Sequence, residues 1–361
     1  MHASESLTEA DRLLTVCNSC RYCEGLCAVF PAMEMRRAFP DGDLNYLANL
    51  CHNCGSCYID CQYAPPHEFN VNIPKVFSQV RKQSYAAYAW PGALRGLFTR
   101  NGLAVAVIAA ASVAAFKYSF GDAQTGPASF YSLMSHNAMV GLFGVVFLCA
   151  IVALIKGARN FWRDIGAPEG TLFAPQSLWQ AVKDVLQLRY LDGGGEGCYN
   201  AEDAPVDRRR LFHHLTFYGF LFCFAATAAG TLDYYVFHRV GAPGWSDLPV
   251  LLGTIGGLGL VAGPVGLIFA KSGRDKILID GTSLGMDVVF LVMLTLSSLS
   301  GLALLALRDT SAMPLMLACH LGIVFALFLT LPYGKFVHGL YRFLALIRYA
   351  RERRHFTGGE A

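Results

Sequence analysis

Beyond Gly102 the chain carries six apolar segments, over 102–116, 136–155, 211–232, 248–270, 285–307 and 314–331. Most approach the roughly 20 residues a helix needs to cross hydrocarbon. In lipid each backbone N–H and C=O must be satisfied within its own segment, which leaves helices as the structure for such runs. The first segment is short and alanine-rich. Overall 54% of residues are hydrophobic and 15% charged, but the first hundred read as ordinary soluble sequence. The predicted fold class is therefore an α-helical membrane protein. A soluble head spans 1–100, a bundle of about six transmembrane helices spans 101–345 with an insert at 157–210, and a basic tail spans 346–361.

Topology follows from the basic residues. With both termini cytoplasmic, 26 of the 29 Lys and Arg lie inside, and only Lys117, Arg239 and Arg308 lie outside. The opposite orientation inverts the positive-inside rule. The opening MHASESLTEADRLL is polar and acidic and has no signal-peptide form, so the head is expected to stay on the side where it is made. The expected location is a bacterial inner membrane, with the chain multi-pass and its head cytoplasmic. A net charge of +3 carries no nucleic-acid patch.

Eight of the twelve cysteines fall in two runs, Cys17-x2-Cys20-x2-Cys23-x3-Cys27 and Cys51-x2-Cys54-x2-Cys57-x3-Cys61. So dense a set in a cytosolic head points to metal ligation rather than disulfides. The spacing is that of two-cluster bacterial ferredoxins, in which the fourth cysteine of each run serves the other cluster. Cys17, Cys20, Cys23 and Cys61 are then expected to hold one [4Fe–4S] cluster, and Cys51, Cys54, Cys57 and Cys27 the other. Zinc would favour two CxxC pairs over triplets with a follower. The usual proline after each fourth cysteine is missing and comes later, as Pro31 and as Pro65-Pro66. Gly25 and Gly55 are expected where backbone passes close to a cluster. The insert between the runs is expected to be helical, covering the clusters or meeting a partner. The head shows no flavin, nicotinamide or substrate site, so its electrons need a separate donor.

Coordinating groups at membrane depth are costly and call for a role. His136 and His320 lie near the outer face, and His213, His214 and His338 near the inner face. Such level pairs suit bis-histidine b-type haem, one or two in number. Residues 320 and 338 would stand ~27 Å apart on a continuous helix, with Pro332 and Gly334 at the connection. Adjacent His213 and His214 point about 100° apart, so one of them can ligate a given iron, and the sequence does not choose. His238 and His355 read as interfacial. The glycines of the fourth segment (253, 256, 257, 259, 263 and 266) read as close helix packing.

Residues 175–190 have amphipathic spacing, suited to the interface or to the head. The glycine-rich 191–198 lacks phosphate-loop form and reads as a flexible turn. Arg208–Arg210 either anchor a helix at the surface or neutralise haem propionates. Asp287 is either an interfacial residue or a proton source for quinone.

The motifs CNSCRYCEGLCAVFPAME, CHNCGSCYIDCQYAPPHEFNVNIPK, RYLDGGGEGC and RRRLFHHLTFYGF together resemble the tricarballylate utilisation protein B family, also described as citrate utilisation protein B. The resemblance covers nearly the whole chain. It implies a partner, an FAD-containing protein A that oxidises tricarballylate to cis-aconitate. It also implies transfer of the flavin's electrons through two [4Fe–4S] clusters and haem b to membrane quinone. The flavoprotein would be a separate polypeptide, and this chain an electron-transfer subunit without a substrate site. By motif, the eight head cysteines are the implied cluster ligands, and the His213-His214 pair an implied haem contact. Two rival expectations stand beside this one. One is service to a flavoprotein with another substrate, and the other is a membrane redox sensor or assembly protein.

Overall fold

The computed structural model describes residues 2–358 except 121–132, 169, 192, 194–197, 200–204, 207, 240–242, 279 and 282–283. Most of the glycine-rich turn expected at 191–198 lies outside the described residues.

The head contains helices α1 (Glu5–Cys20), α2 (Val29–Glu34), α3 (Asp41–Leu50), α4 (Ser56–Ile59) and α5 (Ile73–Tyr88). The Ser4 side chain caps α1 by accepting from the Leu7 N–H, and Asn72 caps α5 by accepting from Lys75. Leu7, Ala10, Leu13 and Leu14 fall on one face of α1 and are buried. They meet Phe30 and Met33 of α2, Leu44, Tyr46 and Leu47 of α3, and Phe77, Val80 and Tyr85 of α5 in one core. The insert between the cysteine runs is thus the centre of the head rather than its cover. The two cysteine runs, four thiols each, carry little apolar volume, and the insert supplies it.

After the short α6 (Gly96–Thr99) come α7 (Asn101–Phe120) and α8 (His136–Asp164). Later come α10 (Arg208–Tyr235), α11 (Leu248–Ser272), α12 (Leu284–Ala306) and α13 (Met313–Thr330). Each of these six contains a stretch long and apolar enough to span a membrane, as the six segments predict. α8 runs 29 residues, well past 155, and carries its last turns into the head. There Phe161 is fully buried against Tyr88 and Tyr341, and Asp164 accepts from the Tyr88 hydroxyl and from Asn45.

α9 (Pro175–Leu186) packs on the last helix, α14 (Val337–Gly358). It buries Ser177, Ala181 and Asp184, leaving Leu178, Trp179 and Leu186 exposed. Its apolar face is therefore turned away from the protein, as an interfacial helix requires. Two short antiparallel strands, β1 (Cys198–Tyr199) and β2 (Pro205–Val206), close the loop before α10.

Helix α14 joins the head. Val337, Tyr341, Ala345, Leu346, Ile347 and Tyr349 are buried in the same core as α1–α5. Arg348 pairs with Asp43 and Glu352 at 2.7 Å each, and Arg36 reaches Glu352 at 2.7 Å. Residues 346–358, expected as a tail, thus form half of a core helix. The path from α13 to α14 is broken by a 3-10 turn over Leu331–Tyr333 and by extended backbone at Gly334. Pro332 has no N–H to continue the ladder. His320 and His338 therefore do not share a continuous helix.

Within the bundle, α10 and α11 approach closely through glycine. A Cβ at Gly256 would stand 2.8 Å from the Gly219 oxygen and the Cys223 nitrogen; one at Gly219 would stand 2.9 Å from the Gly256 oxygen. Ser298 of α12 donates to the Gly257 carbonyl at 2.8 Å. Gly256→Val should separate α10 from α11 and destabilise the bundle by about 1–3 kcal/mol, the usual cost of overpacking. Thermal unfolding of the detergent-solubilised protein checks this, and an unchanged midpoint would contradict the close approach.

Candidate functional site

The two cysteine runs converge at the end of the head formed by the C-terminus of α1, α2 and α4. Cys17, Cys20, Cys23 and Cys61 line one void, beside Phe30, Tyr63 and Val71. Cys27, Cys51, Cys54 and Cys57 line a second, with Val29 and Pro74. Three thiols of each set come from one run and the fourth from the other, the pairing read from the spacing. Cys57 borders both voids, which places the two sets side by side. Among the described residues no three ligating side chains close on one point, as a single ion would require.

Local backbone explains the arrangement. α1 ends on Arg21 in the left-handed region, which turns the first run out of the helix. Asn53 and Gly55 have φ of 56° and 95°, folding the second run into a tight loop before α4. Gly55 suits that conformation because it has no Cβ. At Gly25 a Cβ would meet no protein atom within 4 Å. The sulfurs receive donors from their own loops. The Val29 N–H points to Cys27 Sγ at 3.4 Å and the Asn53 N–H to Cys51 Sγ at 3.3 Å. Ser56 Oγ points to Cys54 Sγ at 3.4 Å. Such bonds to cluster sulfurs tune reduction potential.

Burial pushes the thiols of Cys17 and Cys23 up to about 12, with neighbouring thiolates, Cys61 first among them, adding to the shift. The same causes raise Cys27 and Cys57. Crowded thiols of this kind become thiolates only when a metal supplies positive charge.

Beside the second set, at the junction with the bundle, lies a cavity of about 210 Å³. His52, the residue after Cys51, lines it together with His213 of α10 and His338 of α14. The rings of His213 and His338 stand 6.2 Å apart, centroid to centroid, at 60°. His338 Nδ1 lies 2.5 Å from the Lys335 carbonyl. That contact fixes the Nδ1–H tautomer and leaves Nε2 bare as a ligand nitrogen. Burial, then Lys335 and Arg342, holds His338 well below the usual histidine range, so the neutral ring prevails. His214 instead stacks along Tyr218. The structure thereby separates two adjacent residues that the sequence left equivalent.

The outer histidines take different partners. His136 stacks on Tyr234 at 3.6 Å, whereas His320 Nδ1 meets Ser300 Oγ at 3.1 Å with its ring against Gly301. No ring contact joins them among the described residues. Asp287 is engaged by Lys271 and, at 2.8 Å, by Lys335.

Sequence reading missed His52, Arg81 and Arg342, and it gave Arg209 a surface or propionate role rather than this one. Arg81 and Arg342 donate to the Cys51 carbonyl, and Arg209 to those of His52 and Asn53. A histidine inside a ligand run was the available signal for His52. Arg81 and Arg342 lie in distant segments and carried none.

Residues 10–87 match a family described as the citrate utilization protein B Fer4-like domain, and residues 97–359 match citrate utilization protein B itself. The chain belongs to the citrate utilization protein B family. A curated member, citrate utilization protein B of Escherichia coli, is 47% identical over 359 residues, covering 97% of this chain and 94% of that protein. No solved structure matches. The iron–sulfur character of the head and the six membrane helices are therefore properties of a family member, and an iron–sulfur electron-transfer role follows.

The cross-pairing makes a prediction. Cys61→Ser should abolish the same paramagnetic signal as Cys17→Ser, and Cys27→Ser the same one as Cys54→Ser. Each variant should lose about half the iron of a two-cluster protein. Electron paramagnetic resonance on dithionite-reduced protein reads this; grouping by run instead of across runs would refute the pairing.

Proposed function

We propose that this chain carries electrons from a reduced flavoprotein dehydrogenase to membrane quinone. The head would lie on the cytoplasmic side of a bacterial inner membrane. The observation that carries the reading is the contact between a four-cysteine site and the His213–His338 cavity at the membrane junction. His52 lines both the second cysteine void and this cavity, so a cluster in the one would lie beside a group in the other. Orientation is supported by the 26 basic residues on the head side and its connecting loops against three on the other.

The clusters and a b-type haem, when bound, each supply a one-electron station. Residues of this chain fit both groups. The two cysteine sets provide four thiols each. His213 and His338, with ring centroids 6.2 Å apart, would be the residues to hold the haem iron, and neutral imidazole nitrogens would supply its ligands. The cavity is lined by Arg209, Lys335 and Arg342, which can face carboxylate groups. A tetrapyrrole needs more room than about 210 Å³, so the donor set suits haem while the cavity as it stands is too small for one.

That volume supports a second reading, in which the cavity takes a single quinone ring. The ion-paired Asp287 would then lie near the ring's oxygens. The partner's substrate would be a tricarboxylate-type acid such as tricarballylate, oxidised on the flavoprotein and never bound here.

A pyridine haemochrome assay on purified protein separates the two readings. The haem reading expects b-type haem in wild type, its loss in His213→Ala and His338→Ala, and its retention in His214→Ala. Haem-free wild type would leave the cavity to quinone. For the conduit itself, clusters reduced by a flavoprotein donor should be reoxidised by a soluble quinone analogue within turnover. Clusters that stay reduced would contradict it.

A further inference from the structure

The second cysteine run is gripped from outside. Arg81 Nη1 of α5 donates to the Ala48 carbonyl at 2.7 Å and to that of Cys51 at 3.1 Å. Arg342 of α14 donates to Asn49 at 3.1 Å and to Cys51 at 2.5 Å. Arg209, at the head end of α10, donates to His52 at 2.7 Å and to Asn53 at 3.1 Å. Arg274, following α11, also reaches the Asn53 carbonyl. Four guanidinium groups from four elements thus converge on backbone carbonyls within residues 48–53. Three of them come from the bundle or from the helix that follows it.

Carbonyl oxygens carry no formal charge, and the four arginines and three lysines lining the cavity face two carboxylates there, Asp280 and Asp287. Asp287, the carboxylate of α12 at this cavity, is already ion-paired with Lys271 and Lys335. Asp280 also borders the cavity. The first cysteine set has a different setting. Its own run contributes Arg21, opposed by Glu24 nearby and by Asp60 beside Cys23. Tyr22, next to Cys23, is 72% exposed. Cys51 and Cys54 are buried.

An iron–sulfur cluster held by four thiolates is anionic, and adding an electron makes it more so. Fixed positive charge therefore favours the reduced form and raises the potential. Charge acts more strongly in a buried setting, where water and salt screen less.

We infer that Arg81, Arg209, Arg274 and Arg342 are positioning residues that raise the reduction potential of the cluster at Cys27, Cys51, Cys54 and Cys57. That makes it the inner, electron-delivering station. The cluster at Cys17, Cys20, Cys23 and Cys61 is the outer, electron-receiving one, reached from the Tyr22 surface. The inference rests on the reading that both cysteine sets hold clusters, and it adds their order and the cause of that order.

The test is a potentiometric titration of the full-length protein, purified without oxygen and followed by electron paramagnetic resonance. Wild type should show two cluster waves, and the wave absent from Cys54→Ser identifies the inner cluster. Arg209→Gln and, independently, Arg274→Gln should move that wave to lower potential and leave the other in place. Arg209→Lys, which keeps the charge and loses the fork, should restore most of the shift. A purely structural role would not be rescued by lysine, and it would show as loss of iron rather than as a displaced wave. Two waves present but unmoved in both glutamine variants would overturn the arginine effect alone. Two waves missing from wild type would overturn the cluster reading beneath it. If Arg209→Gln fails to assemble the cluster, Arg274→Gln, with one recorded contact to the loop, decides.

Discussion

Neither cysteine run can complete a four-thiol site by itself. Each set takes three sulfurs from one loop and the fourth from the other, so residues 17–27 and 51–61 must be brought side by side before any cluster is enclosed. The intervening segment makes that possible. Phe30, Met33, Leu44 and Leu47 form the apolar centre on which α1 and α5 close, and the rest of the head is arranged around that closure. Burial raises the proton affinity of these thiols, and a metal bound there would offset it.

The second dependency runs between head and membrane. Helix α14 leaves the bundle after the break at Leu331–Gly334 and inserts Tyr341, Ala345, Leu346 and Tyr349 into the head core. α8 does the same from the other direction through Phe161 and Asp164. The buried ions Arg36, Asp43, Arg348 and Glu352 tie α3 to α14. Such a network adds little net stability but penalises any misplaced register, because breaking one pair leaves a buried charge uncompensated. The ligand loop at 48–53 is thereby held at a fixed place against the helix ends that carry His213 and His338. Electron transfer between fixed stations requires just such a rigid mount.

Much of this was legible in sequence because its signals are local. Six hydrophobic runs give six helices long and apolar enough to span a membrane, and the cysteine spacing predicts the crossed grouping of thiols around the two voids. The glycines of α11 announce close packing, which Gly219 and Gly256 then realise. The parts that were not legible depend on contacts distant in the chain. Nothing in the arginine-rich sequence after 346 shows that it continues a core helix, because Arg348 and Glu352 find their partners some 300 residues earlier. Choosing His213 over His214 needed the direction of α10 relative to α14. His320 and His338 look like two levels of one helix until Pro332 and Gly334 are seen to interrupt it. His52 was hidden among ligands of a different kind.

The account stands on two cubane clusters in the head, and a metal count tests it most directly. Full-length protein purified from membranes without oxygen should contain about eight iron and about eight acid-labile sulfide per chain. Zinc in place of iron, or iron without sulfide, would contradict it.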